Sequence, residues 1–352
     1  MTNTGVTNTG VTDTGVTNIG VIGTGVIGAE HIRRLTTAVP GARITSVTDV
    51  DLDRARAVAD SLAPGASVPA TGAELIESPE VDAVVVTSWG STHRDYVLGC
   101  IAAGKPVFCE KPLASSSTDC ITILEAEVAA GRRYVQVGFM RRYDPAYLAL
   151  RAAVHGGSLG APLLMHAAHR NPALPAHFTG DMVVTDSAVH EFDLIRWMFA
   201  DEIAAITAYT PRRNSRAKDG FPDPLVLVLE LANGVLVDVE VLANARYGYD
   251  IRGEVVCEDG VAALSESAGV VVRSAGTVAL GVPTDWPERF AAAFDIEFRS
   301  WLASVAGGEE PTGPDAWDGY AAAACIDAAL VSLHDGGRVP VTLVDRPSLY
   351  RP

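Results

Sequence analysis

Ile19-Gly20-Val21-Ile22-Gly23-Thr24-Gly25-Val26-Ile27-Gly28 decides the fold of this 352-residue chain. A short apolar run enters a glycine loop, and Ala29 to Ala38 follow with helical spacing, so the stretch reads strand, turn, helix. In a G-x-G-x-x-G loop the first glycine permits the tight turn and the second lets backbone approach a pyrophosphate. The third admits close packing of helix on strand. The helix start, with Val26 and Ile27, then offers unpaired N–H groups to the phosphates. Glycines at this spacing also occur in purely structural turns; the strand before Gly23 and the helix after Gly28 favour dinucleotide binding.

The same alternation continues downstream. Ile44 to Asp49 is a β-branched run, Arg54 to Leu62 a helix, Ala83 to Thr87 a strand and Thr92 to Ala103 a helix. Lys105 to Cys109 and Tyr134 to Gly138 supply two more strands around a helix at Thr118 to Ala130. Strands and helices alternating at this spacing predict a doubly wound parallel sheet. After Gly138 the pattern changes. Leu225 to Leu231 and Val235 to Val241 flank Asn233-Gly234, a strong hairpin signal, and Asp259-Gly260 marks another. Val235, Val237, Val239 and Val241 share one face, opposite Leu236, Asp238, Glu240 and Leu242. Both faces of Leu225 to Leu229 are apolar, so the outer face of this sheet should be covered, for instance by another subunit. Arg289 to Val305 and Ala316 to Leu333 read as closing helices.

The expected fold class is therefore α/β. An N-terminal doubly wound Rossmann domain spans 18–138, and an α+β C-terminal domain with an open, mostly antiparallel sheet, for substrate binding and oligomerisation, spans 139–352. Residues 1–17 repeat an Asn-Thr-Gly-Val-Thr pentad without large apolar side chains and are expected to form a flexible tail.

Composition narrows the function. At 48% hydrophobic residues the chain can build two cores. A net charge of −16 argues against nucleic acid and anionic membranes, which need clustered Lys and Arg; a small neutral substrate fits. No run approaches the ~20 apolar residues of a membrane span, and the N-terminus lacks the order of a signal peptide. Cysteines at 100, 109, 120, 257 and 325 form no C-x-x-C pair, so neither a disulfide framework nor a zinc knuckle is indicated and a cytoplasmic location is expected.

Three segments carry chemistry. Asp49 ends the second strand, where a carboxylate can accept from the adenosine ribose hydroxyls and would repel a 2′-phosphate; with Val50 and Asp51 next, NAD is favoured over NADP, although a solvated strand-end Asp is the plainer reading. Ser88-Trp89-Gly90-Ser91-Thr92-His93 follows the third strand, at the edge where open sheets bind ligands, so Ser88, Trp89 and His93 are candidate cofactor contacts; Trp89 could equally be plain packing. Glu110-Lys111-Pro112 closes another strand, and Asp186-x-x-x-His190 brings a carboxylate and an imidazole within a helical turn. Oxidation of a secondary alcohol needs a base for the hydroxyl proton and a cation beside the reacting oxygen. His190 and Lys111 supply these, and Asp186 either orients the imidazole, bonds a substrate hydroxyl, or simply caps a helix. Gly156-Gly157-Ser158-Leu159-Gly160 matches a hydrolase nucleophile elbow, but a helical pattern precedes it where a strand is required.

These residues resemble a known family. The glycine loop, Ala103-Gly104-Lys105-Pro106 leading to Glu110-Lys111-Pro112, and Asp186-x-x-x-His190-x-x-Asp193 are similar to the Gfo/Idh/MocA oxidoreductases, the family of glucose–fructose oxidoreductase and inositol dehydrogenase. Thr87-Ser88-Trp89-Gly90, Gly138 to Asp144, His169-Arg170-Asn171-Pro172 and Tyr247-Gly248-Tyr249-Asp250 resemble its myo-inositol 2-dehydrogenase branch more narrowly. The resemblance runs from Ile19 to about Val341. It implies an NAD-binding domain joined to an open sheet, homo-tetramers packed through that sheet, and catalysis by Lys111, Asp186 and His190, with His190 as acid/base. Met140, Arg141, His169, Asn171 and Tyr249 would line a polyol pocket and Glu110 would contact the nicotinamide end. Of the neighbours Arg141 and Arg142 one should make an ion pair instead, and His169 could be a core histidine. His166 and His169 point to opposite faces of a strand, and no metal is expected. The implied reaction is oxidation of myo-inositol to 2-keto-myo-inositol with NAD⁺. Alternatives are dehydrogenation of scyllo- or chiro-inositol, a modified cyclitol or an aldose, a glycosidase using NAD transiently, or a non-catalytic NAD-binding regulator.

Overall fold

A computed structural model describes residues 15–175, 177–265, 271–274 and 276–351. Most of the pentad repeat lies outside them, but Thr17, expected to belong to the tail, is buried as the first residue of strand β1 (Thr17–Ile22).

The chain proceeds from β1 through α1 (Val26–Thr37), β2 (Ala42–Thr48), α2 (Leu52–Leu62), α3 (Gly72–Glu77), β3 (Ala83–Val86), α4 (Gly90–Ala102), β4 (Val107–Glu110), α5 (Ser117–Ala130) and β5 (Val135–Gly138). The five strands form one parallel sheet in the order β2-β1-β3-β4-β5. Beyond β2 a single parallel bridge, Ser46 to Ser67, marks where a further strand of a Rossmann sheet would stand. Strand β3 is wholly buried and entirely Ala and Val, as a strand covered on both faces must be. The order places a crevice between the carboxyl ends of β1 and β3, where chain connections leave in opposite directions.

After α6 (Pro145–His155), strand β6 (Pro162–Arg170), α7 (Val189–Phe199), β7 (Ile203–Tyr209), β8 (Leu225–Leu231), β9 (Leu236–Leu242), β10 (Asp250–Cys257) and β11 (Val261–Ala263) follow. A short hairpin, β12 (Val271–Ser274) and β13 (Thr277–Leu280), stands apart. The closing helices are α8 (Trp286–Ala306) and α9 (Ala316–Asp335), with β14 (Arg338–Pro340) at the edge. The second sheet runs β11-β10-β6-β9-β8-β7-β14. It is antiparallel except where β6 lies parallel to β9, so it is mixed. Gly234, in the left-handed region at φ 91°, turns the β8–β9 hairpin, and Val237, Val239 and Val241 are fully buried.

Two packing facts position the site. Buried side chains of the two sheets, such as Val137 and Val237, belong with Met140 and Val183 of the segments between the strands to one continuous core. Helix α8 then returns across the chain, and its Phe298 and Trp301 pack on Ile19, Val21 and Phe108 of the parallel sheet. Among the described residues, no helix is long and apolar enough to cross a membrane.

Candidate active site

The glycine loop has the shape a pyrophosphate needs. Gly23 sits at φ 102°, and a Cβ there would lie 2.5 Å from the Ser88 nitrogen. At Gly28 a Cβ would come within 2.1 Å of the Gly23 oxygen, whereas around Gly25 nothing stands within 4 Å. The first and third glycines are thus enforced by packing, and the second leaves open space over the first turn of α1, which no side chain caps. A dinucleotide fits this cradle.

Asp49 accepts from the Thr24 backbone N–H at 2.6 Å and its hydroxyl at 3.0 Å, tying the end of β2 to the glycine loop. Burial pushes its carboxyl up, but hydrogen bonds from the Asp51 and Thr24 amides and from Arg54 leave it below the usual range. Arg54 Nη2 donates to Asp49 Oδ1 at 2.6 Å. Nothing in the residues adjacent to Asp49 marks this arginine, which stands five positions on. Val26 and Val50 are exposed at the carboxyl ends of β1 and β2.

A cleft of about 350 Å³ opens between the two sheets. Ile27, Ser88, Trp89, His93, Glu110 and Lys111 border it from the parallel sheet; Met140, His169, Asn171, Asp186, His190 and Tyr249 border it from the other side. Residues from three distant segments of the sequence therefore converge. Lys111 Nζ donates to the Asp186 backbone oxygen at 3.1 Å and stands 3.9 Å from its Oδ1. His190 is half-buried, and its Nδ1 is enclosed without a hydrogen-bond partner among the described residues. Burial, then the charges of Lys111 and Arg141, hold its imidazole well below the ordinary value, so the ring is neutral and can take a proton. Asn171 Nδ2 is a further enclosed polar atom without a described partner, a donor suited to a ligand hydroxyl. Leu174, Pro175, Phe178, Trp286 and Phe294 add apolar walls that sequence reasoning did not find.

Several expectations need correction. Asp186 neither caps a helix nor orients His190: it lies inside a π-helical turn, Val183–Ala188, that runs directly into α7. In so wide a turn residues four apart no longer stack, and Asp186 meets Lys111 and the Thr185 hydroxyl instead. Arg141 does not border the cleft. It is buried behind His169, ion-paired with Glu191 and donating from Nη2 to His169 Nδ1 at 3.2 Å. Arg142 makes the expected ion pair, with Asp193 and with Asp318 at 3.0 Å. His93 borders the cleft, but its ring nitrogens lie 2.7 Å from the Pro112 oxygen and 2.9 Å from the Ser88 oxygen. Burial favours its neutral form, which donates to one of these carbonyls, so it braces two loops and offers no free donor. Trp89 is 66% exposed and meets His177 edge-on, with ring centroids 5.8 Å apart. His169 is buried yet borders the cleft, its Nε2 3.4 Å from the Tyr249 hydroxyl.

Comparison with known proteins bears on family and fold. A model described as an oxidoreductase family with an NAD-binding Rossmann fold matches residues 17–139. The GFO/IDH/MocA C-terminal domain matches residues 147–263. Inositol 2-dehydrogenase 3 of Saccharopolyspora erythraea is 51% identical over 321 residues, covering 91% of this chain and 94% of that protein. Inositol 2-dehydrogenase of Pseudomonas syringae pv. syringae is 47% identical over 321 residues, covering 91% and 95%. The crystal structure of myo-inositol dehydrogenase from Lactobacillus casei in complex with NAD(H) and myo-inositol superposes with a TM-score of 0.93 at 36% identity, covering 96% of this chain and 100% of that one.

Proposed function

The chain belongs to the GFO/IDH/MocA oxidoreductase family, and on that premise we propose that it oxidises the C2 hydroxyl of myo-inositol to 2-keto-myo-inositol. It is an NAD-dependent dehydrogenase acting on a CH–OH group. The observation that carries the finer reading is the convergence of Lys111, a neutral His190 and the unpartnered Asn171 amide on one cleft beside the glycine loop.

The Gly23–Gly28 cradle and Asp49 would hold NAD⁺, which would supply the hydride acceptor. The remaining steps belong to the chain. His190 takes the proton of the reacting hydroxyl, and Lys111 stabilises the negative charge that grows on that oxygen as the C–H bond yields its hydride. Asp186 keeps Lys111 in place through its backbone oxygen. His169, Asn171 and Tyr249 bind the other ring hydroxyls, and the apolar wall excludes water. Arg141 acts from behind His169, holding that ring, and adds its charge to the burial and the Lys111 charge that keep His190 neutral. We further propose tetramers that meet through the outer face of the second sheet, where Val226 and Val228 lie half-buried.

The test is NADH absorbance with each inositol isomer and common aldoses in large excess over enzyme. NADH accumulating far beyond one equivalent, fastest with myo-inositol, is expected; product without net NADH would contradict it. Lys111→Ala and His190→Ala should each lower kcat by about 10²-fold or more with NAD⁺ binding kept.

A further inference from the structure

We propose that His31 is a positioning residue for the cofactor, fixing the Glu110 carboxylate on the wall of the cleft and through it the nicotinamide half of NAD. The inference rests on the reading of that cleft as the NAD site.

His31 lies in the first turns of α1 and is fully buried. Its Nε2 is 2.7 Å from Glu110 Oε1, and its Nδ1 is 3.1 Å from Arg34 Nη1. A guanidinium cannot accept a hydrogen bond, so Nδ1 must be the acceptor. The ring proton therefore sits on Nε2 and is donated to Glu110. Arg34 is held in turn by Asp295 of α8, its Nε donating at 2.8 Å. Phe294 and Phe298 enclose the imidazole, with ring centroids 5.4 and 4.7 Å away. Burial keeps His31 below its ordinary value, which matches the neutral tautomer the geometry requires.

Glu110 is the recipient of this chain of contacts. Its second oxygen accepts the Lys111 backbone N–H at 3.2 Å, and the residue borders the cleft beside Ile27 and Lys111. Burial alone would raise its carboxyl, yet the hydrogen bond from His31 and the neighbouring charges bring it below the usual range. Glu297 of α8 shows the opposite outcome. Both its oxygens are enclosed without described partners, and burial, then the Glu110 charge, push it well above the ordinary value. Of these two buried carboxyls, the one that accepts from His31 is the one that borders the cleft, and it is held in its charged form.

Calorimetric titration of the full chain with NAD⁺ and separately with ADP tests this. ADP spans the adenosine and pyrophosphate sites and carries nothing beyond them. His31→Leu should weaken NAD⁺ by about tenfold or more and change ADP by less than about twofold. His31→Gln, whose amide can donate to Glu110 and accept from Arg34, should bind NAD⁺ within about threefold of wild type. Unchanged NAD⁺ affinity in His31→Leu, equal weakening of NAD⁺ and ADP, or no rescue by Gln would overturn the proposal. If His31→Leu does not fold, His31→Asn, polar but too short to span to Glu110, makes the same comparison. Failure of the cofactor reading itself is distinct, because wild type would then bind neither ligand.

Discussion

We propose that Asp49 and Arg54 set the cofactor preference together. The carboxylate faces the start of the glycine loop at Thr24, and the arginine stands five residues later, paired to it at 2.6 Å. Replacing Asp49 by Ser removes the repulsion against a 2′-phosphate and frees the arginine to bind one. The ratio of kcat/KM for NADP over NAD should rise by tenfold or more, about 1.4 kcal/mol, and an unchanged ratio in steady-state kinetics would contradict the assignment. At His190 the prediction concerns pH. Only the neutral imidazole can take a proton, and burial with Lys111 and Arg141 holds its value well below the ordinary one. In the direction of alcohol oxidation, kcat/KM should stay level as pH falls through ~6.5 and decline only below it. An acid limb at or above that value would remove His190 from its role. Both residues were legible in the sequence because strand ends and short motifs announce them. Arg54 and Glu191 were not, since no local pattern says which surface arginine folds back or which glutamate is buried behind a histidine.

Elements whose order is written in local periodicity were the easiest to read. The βα alternation and Asn233-Gly234 gave the parallel sheet and the β8–β9 hairpin to within a few residues. The short helix α3 and the Ser46–Ser67 bridge lack such periodicity and were not foreseen. Nor was the π-helical turn at Val183–Ala188, because a widened turn leaves no compositional mark. That turn changes chemistry, since it gives Asp186 to Lys111 and takes it from His190. The outer face of the second sheet gives a further test. Val228 stands there between Thr207 and Asp238, with His166 paired to Asp238 beyond. Its half-burial fits a face that another copy covers. Val228→Glu would place an unpaired charge in the proposed contact and should lower the mass measured by light scattering below that of the proposed tetramer. An unchanged tetramer would move the interface elsewhere.

Across the whole molecule, the cleft exists because the chain crosses between its two sheets more than once. The segment after β5 carries Met140 into the shared core, and α8 returns to cover the parallel sheet while Trp286 and Phe294 close one wall of the cleft. These long-range walls could not be placed from the sequence, which showed only helical spacing near Arg289. The proposed reaction makes one demand that no isolated motif makes: the hydride must leave the carbon whose hydroxyl would lie between Lys111 and His190. Myo-inositol deuterated at C2, incubated with NAD⁺ and the enzyme, tests this most directly by mass spectrometry of the reduced cofactor. The account predicts one deuterium in each NADH formed and none left at C2 of the product. Unlabelled NADH, with deuterium retained in the ring, would contradict it.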